Sequence, residues 1–182
     1  MPPIGLAHGV IRIVPYDPEW PRLFAAERAR LAAAAGDVFL DIQHVGSTSV
    51  PGLPAKPIID IAAAVSDFAA GAACIAPIVA LGYTYHGENG IPRRHYFDGG
   101  SPTLFHLHVL ELRSLDWTEH LLFRDYLRDH PEAAGEYGRL KRDLSVRYAG
   151  DRPGYTDAKA PFIRRILALA WAREAALAAR PN

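Results

Sequence analysis

His44-Val-Gly-Ser-Thr-Ser-Val-Pro-Gly-Leu-Pro-Ala-Lys-Pro-Ile-Ile-Asp60 is the stretch on which the reading of this chain turns. An apolar run over 38–45 leads into Gly46-Ser47. A Pro/Gly-rich loop carrying Lys56 follows, and then a second apolar run over 57–65 is interrupted by one acid, Asp60. A small-residue bend after a strand leaves backbone N–H groups free to face a phosphate, because Gly permits close approach and Ser adds a hydroxyl donor. Gly46, Ser47, Thr48 and Ser49 are therefore candidate phosphate binders; the plain alternative is an ordinary strand-to-loop turn. An acid inside a core strand is costly unless it is paired or holds a metal. Asp60 is accordingly a candidate ligand for Mg²⁺ or Mn²⁺, or else the partner of Lys56, Arg93 or Arg94. Phosphate bend plus metal-holding acid is the least equipment that phosphoryl or nucleotidyl transfer requires.

Working outward, 11–14 reads as a short strand. Asp17 caps a first helix, with Pro18 at its opening position, that runs to Ala35 and stops at Gly36. Strands are expected over 38–45, 57–65, 83–86, 94–97 and 104–112, with a second helix from Ser66 or Asp67 to Leu81. From Asp116 the pattern turns helical, over 116–129, 132–149 and 157–179, with breaks at Pro131 and Asp151-Arg-Pro-Gly. Strands first and helices last predict an α+β domain. Its mixed sheet has about five strands, with an N-terminal helix and C-terminal helices closing a cleft. Residues 1–182 form one domain in this reading, with 1–9 as a loose start.

His106 and His108 are two apart, so they share one face of their strand. Three roles stay open for them: metal ligands beside Asp60 (zinc, manganese or iron suit imidazole), phosphate-binding or acid–base groups, or hydrogen-bonded sheet residues. His44 is a further candidate for such a set. Glu111, an odd number of positions from His108, is expected on the opposite face. Lys56 and the cluster Arg93-Arg94-His95 suit a polyphosphate, although a solvated hairpin edge explains the cluster equally well. Tyr155 and Lys159, four apart, share a helix face. Tyr83, Tyr85 and Tyr96 are candidates to stack on a base. Arg139, Lys141, Arg142 and Arg147 read as solvated surface, and Trp20, Trp117 and Trp171 as core.

Basic and acidic residues balance at 20 each, which leaves no electrostatic footprint for duplex nucleic acid or an anionic membrane. One cysteine, Cys74, excludes an intramolecular disulfide. No signal-like opening or apolar run long enough to span a bilayer is present, so a cytoplasmic location is expected.

The Gly-Ser bend, its spacer and the acid-bearing strand resemble the nucleotidyltransferase superfamily, the fold of polymerase beta. The wording from His44 to Asp60 is similar to one branch of it, the GrpB family. Further matching blocks are Tyr16-Asp-Pro-Glu-Trp-Pro, His106-Leu-His108-Val, Phe123-Arg-Asp-Tyr-Leu and Tyr155-Thr-Asp-Ala-Lys159-Ala-Pro-Phe-Ile. Together they cover roughly residues 10 to 170. The resemblance implies a nucleoside triphosphate held with a divalent metal, and nucleotidyl transfer to an unidentified acceptor. It also implies that Tyr155 and Lys159 belong to the nucleotide pocket. It departs from the superfamily's Asp-x-Asp pattern at the second acid, where this chain has Ala62, and a two-metal site needs more carboxylate than Asp60 provides.

Two other readings follow. A non-catalytic nucleotide- or partner-binding module fits the missing acid. GrpB-like domains resemble the extra domain joined to some dephospho-CoA kinases, so a protein partner acting in trans is expected under that reading. A histidine–metal hydrolase is the third.

Overall fold

The computed structural model describes residues 4–7 and 9–179. Five strands form one mixed sheet in the order β1-β2-β5-β4-β3: β1 Asp41–Val45, β2 Ile59–Val65, β3 Tyr83–Tyr85, β4 His95–Gly99 and β5 Phe105–Glu111. β2 and β5 run parallel at the centre, and the other pairs are antiparallel. Helix α1 (Trp20–Ala35) and the short α2 (Phe68–Gly71) and α3 (Ile75–Ala80) precede three further long helices. These are α4 (Leu115–Asp129), α5 (Pro131–Arg147) and α6 (Arg152–Ala178). The α+β class, the strand number and the two groups of helices agree with expectation.

Side-chain alternation divides the core. Ile59, Ile61, Ala63, Leu107 and Val109 face α1 and α3, where Trp20, Leu31 and Ile78 complete the larger cluster. Each such Ile, Leu or Val side chain contributes roughly 1.5–3 kcal/mol on full burial. On the other face Ala62, Ala64 and Leu110 pack under Trp117 of α4. A third cluster, including Val50, Leu53, Leu127, Tyr137, Phe162 and Ile166, joins α4, α5 and α6 to the loop after β1. That loop and those helices leave a cleft over the β2–β5–β4 part of the sheet.

Several boundaries move, for local reasons. The strand expected over 11–14 reduces to one bridge, Val14 to Ala55. The strand expected from 38 starts at Asp41, because Gly36–Val38 makes a 3₁₀ turn with Gly36 at φ +56°. The second helix is broken by a 3₁₀ turn at Ala72–Cys74. A continuous helix would need a hydrogen bond from Pro77, which has no N–H; restarting at Ile75 puts Pro77 in a first turn, where none is needed. α6 begins five residues early at Arg152, where Asp151 accepts from the Gly154 N–H at 3.0 Å. Of the expected loose start, residues 1–3 and 8 lie outside the described residues, while Leu6 is buried and pairs with Thr103. Trp20 and Trp117 are core, but Trp171 is 41% exposed. α6 buries Tyr155, Phe162, Ile166 and Ala170 along one stripe, and Trp171 falls outside it.

Candidate functional site

The bend after β1 is built against Asp60. Gly46 has φ +67°, and a Cβ placed on it would lie 2.4 Å from Asp60 Oδ2, so only glycine fits. Ser47–Ser49 form a 3₁₀ turn. Within it the Ser49 hydroxyl donates to the Gly46 carbonyl at 2.6 Å, and Thr48 Oγ1 meets His44 Nε2 at 3.0 Å. Arg128 of α4 donates two N–H groups to the Ser49 carbonyl, at 3.0 and 2.8 Å. Thr48 and Ser49 thus hold the turn in shape, while Gly46 and Ser47 line the cleft.

Sheet register sets the next layer. Val45, Asp60, His106 and Asp98 stand in one row across β1, β2, β5 and β4, and Gln43, Ala62, His108 and Tyr96 stand in the next. His106 Nδ1 meets Asp60 Oδ1 at 2.9 Å, and His108 Nε2 lies 4.0 Å from the same oxygen. Arg94 donates to His108 Nδ1 at 3.2 Å, which places the ring proton on Nε2, toward Asp60. Asp98 Oδ1 lies 3.7 Å from His106 Nε2, accepts from the Tyr96 hydroxyl at 2.7 Å, and its Oδ2 meets His86 Nε2 at 3.2 Å. Burial alone would raise the Asp60 carboxyl; the hydrogen bonds and charge of His106 and His108 overcome it and hold Asp60 well below the usual carboxylate range. Burial lowers His108 to about 4, against the opposing pull of Asp60.

Above this row lies a cavity of about 350 Å³. Five basic side chains line it: Lys56, Arg94, Lys141, Arg152 and Lys159. Of the carboxylates among the described residues, Asp60 alone does so. Among the described residues, no carboxylate oxygen comes within 4.0 Å of any of the five. Four of them rest on tyrosine rings instead. Lys56 and Lys159 sit 4.7 and 4.5 Å from the Tyr155 centroid, Lys141 sits 4.6 Å from Tyr137, and Arg94 sits 4.8 Å from Tyr96. Burial, then neighbouring Lys159 and Arg152, lower Lys56 to about 8; burial foremost lowers Lys159 and pushes Lys141 well below the usual lysine value. A second cavity of similar volume adjoins the first through Ser47, Asp60, His108, Tyr137 and Lys159; Phe123, Ile163, Leu167, Asp116 and Glu119 line its far end.

Of the residues singled out in the sequence, Gly46, Ser47, Lys56, Asp60, Arg94, His106, His108, Tyr155 and Lys159 converge on this cleft. Arg93 does not. From just before β4 it reaches Glu111 at the end of the neighbouring β5, which lies, as its parity requires, on the face away from His108. His44 also faces away from Asp60, buried and stacked on Phe24 at 4.7 Å, and burial lowers it to about 4. Tyr83 donates to Glu27 in the core and Tyr85 bonds His95, so of the three candidate stacking tyrosines only Tyr96 borders the cleft. Lys141, expected on the surface, is 3% exposed. A signal for it was present: Tyr137-x-x-x-Lys141 repeats the spacing of Tyr155-x-x-x-Lys159 one helix earlier. Asp98 and Arg152 carried no such signal.

The Mg²⁺ or Mn²⁺ that the resemblance implies is poorly matched by these donors. Asp60 Oδ1 is engaged by imidazole, Oδ2 packs on Gly46, and Ala62 offers no donor. Among the described residues, no three His, Cys, Asp or Glu side chains are grouped to hold a metal ion. In this geometry Asp60 and His106 are a hydrogen-bonded pair, with His108 4.0 Å from the same carboxylate oxygen.

The chain matches the family model "GrpB protein" over residues 10–169. It is 42% identical over 167 residues to a UPF0157 protein of Pseudomonas aeruginosa, covering 89% of this chain and 68% of that one. It is 32% identical to a dephospho-CoA kinase of Mycolicibacterium paratuberculosis over 91% of its own length, but spans only 47% of that enzyme. The crystal structure of GrpB from Enterococcus faecalis superposes with TM-score 0.82 at 32% identity, over 90% of this chain and 99% of that one. The Cid1 poly(U) polymerase, in a MgGTP-bound structure, gives TM-score 0.51 at 15% identity over 74% of this chain and 45% of that one. That likeness is one of fold: the five-stranded sheet and its flanking helices are nucleotidyltransferase-like. No helix among the described residues is long and apolar enough to cross a membrane. With a match that runs through both the glycine–serine bend and the Tyr155–Lys159 helix, the chain belongs to the GrpB family.

Proposed function

We propose that this protein binds a nucleoside triphosphate, or a closely related nucleotide, by its phosphates in the cleft between the sheet and helices α5 and α6. The observation that carries the reading is the group of five basic side chains that, among the described residues, face a single carboxylate and have no ion-pair partner of their own. Half-buried cations without counter-charges are costly, and an anion supplied from outside relieves that cost. The Ser47 turn adds a hydroxyl, and the adjoining cavity with Phe123, Ile163 and Leu167 offers an apolar seat for a base. The test is a thermal-shift series with the four ribonucleoside triphosphates and the corresponding nucleosides. A ligand at a hundred times its dissociation constant adds about 2.7 kcal/mol of stability. Stabilisation by triphosphates and not by nucleosides is expected; no response to any triphosphate refutes the reading.

Nucleotidyl transfer to an acceptor is a second reading, favoured by the placement of His106. Its Nδ1 is committed to Asp60, which leaves Nε2 as a base inside the cationic cavity. An acceptor hydroxyl would lose its proton to that nitrogen as its oxygen bonds to the α-phosphorus and pyrophosphate departs. Pyrophosphate release that His106→Asn abolishes, with triphosphate binding retained, is the expected result. Unchanged release in that variant removes His106 from the role.

A further inference from the structure

We infer that the cleft takes the polyphosphate chain of its ligand without a divalent cation, with Lys56, Lys141, Lys159, Arg94 and Arg152 providing the charge that magnesium supplies elsewhere. The inference rests on the polyphosphate reading above and narrows it to the metal-free ligand. A magnesium ion bridging protein and phosphates needs free carboxylate oxygens in octahedral geometry. Here the one carboxylate among the described residues that lines the cationic cavity is engaged by imidazole and packs on the glycine bend, while Asp116 and Glu119 line the far end of the adjoining cavity. Ala62, in register with His108, is an alanine with zero exposure, so β2 offers no second carboxylate in the next row.

The cations are also built in rather than scattered over a surface. Arg94 is 5% exposed and Lys141 is 3% exposed. Arg94 is fixed by carbonyls of Glu88 and Asn89, and Lys141 donates to the Pro54 carbonyl. A dication added among five cations would be repelled by each of them, whereas a bare polyphosphate is attracted by all. Asp60 then acts as the resident counter-charge: its field opposes, without cancelling, the lowering of Lys56, Lys141 and Lys159. Because those lysines are lowered in the free protein, ligand binding is expected to draw protons from solution.

Titration calorimetry of the whole chain with inorganic tripolyphosphate and with ATP, in excess EDTA and in magnesium, tests this. Equal or tighter binding in EDTA is expected, since magnesium neutralises the ligand; binding that weakens when metal is removed overturns the inference and leaves nucleotide binding intact. Absence of binding under both conditions refutes the parent reading as well. Two variants sharpen the result. Lys141→Met should weaken tripolyphosphate in EDTA about tenfold, that is about 1.4 kcal/mol. In Asp60→Asn, tripolyphosphate affinity in EDTA should still equal or exceed that in magnesium, as in the parent, whereas a metal-bridged site would lose an advantage that magnesium gave the parent. A parent that binds more tightly in magnesium, and an Asp60→Asn protein, folded by circular dichroism, that has lost that advantage, overturn the inference.

Discussion

Gly46 and Asp60 occupy one space: the position of a Cβ on the glycine lies 2.4 Å from Asp60 Oδ2 and 2.8 Å from Asp60 Cβ. The bend can close over β2 only because the glycine has no side chain, and φ +67° independently disfavours any other residue. Gly46→Ala is therefore expected to cost about 1–3 kcal/mol in urea unfolding, from strain and steric overlap together. In an Asp60→Ala background the carboxylate oxygen is gone, so the same change should cost less. The two losses should fall short of additivity by about 0.5 kcal/mol or more. Strict additivity would mean that the two residues do not meet.

Arg128 secures the other end of the same turn. Its two N–H donors on the Ser49 carbonyl tie α4 to a backbone group that no strand or helix satisfies. Arg128→Met keeps the aliphatic stem and removes both donors, leaving that carbonyl unpaired. A loss of about 1–3 kcal/mol is expected. Hydrogen exchange should quicken in residues 46–50 while the central strands stay protected. Exchange unchanged in the turn would show that Arg128 does not hold it.

The central pair of strands, the bend and Asp60 were legible from the sequence because each depends on local pattern: apolar runs, small residues, one acid out of place. His106 and His108 followed from period-2 spacing alone. Arg93 and Arg94 show the limit. Adjacent residues near a strand end point to opposite faces, and nothing in the sequence says that Arg93 finds Glu111 on the neighbouring strand while Arg94 turns inward to His108. Lys141 looked like surface because its helix is dense in charge; whether that face meets the cleft depends on how α5 lies on the loop around Pro54. Trp171 failed for the converse reason. Its helix is apolar enough for a core, but Trp171 lies off the stripe of Tyr155, Phe162, Ile166 and Ala170 that α6 turns inward. Trp171→Lys is accordingly expected to change stability by no more than about 0.5 kcal/mol, read as an unchanged urea midpoint. A loss of several times that would mean Trp171 is covered in solution.

Acid should weaken the fold before the carboxylates titrate. His44 and His108 both stand near 4 in the folded protein, against 6.5 when unfolded, chiefly through burial. The unfolded chain therefore binds more protons between those values, and stability falls as pH drops from 6.5 toward 4. One such histidine accounts for up to about 2 kcal/mol between pH 6.5 and pH 5. His44→Gln removes one titration, so the loss over that interval, measured by urea unfolding at both pH values, should shrink by about that amount. An unaltered difference would show that His44 is not buried in its neutral form.

Base should do the opposite, up to a limit. Lys56 stands near 8 rather than 10.5, and Lys141 and Lys159 are lowered as well, in each case chiefly by burial. Between pH 8 and about 10 the unfolded chain holds protons that the folded protein has already released, so ligand-free stability is expected to rise with pH. The gain ends near pH 10. There the tyrosines begin to ionise in the unfolded chain, while burial raises Tyr155 to about 12 and lifts Tyr96 and Tyr137 as well. Stability must then decline. Lys141→Met removes the most strongly buried of the three lysines, and should raise ligand-free stability at pH 8 relative to pH 10, flattening the rise. The Pro54 carbonyl loses its donor in that variant, which costs about 1 kcal/mol at both pH values and leaves the slope untouched. Melting temperatures of the two proteins across pH 7–11 separate these effects. An identical slope would place the Lys141 charge in solvent rather than in the cleft.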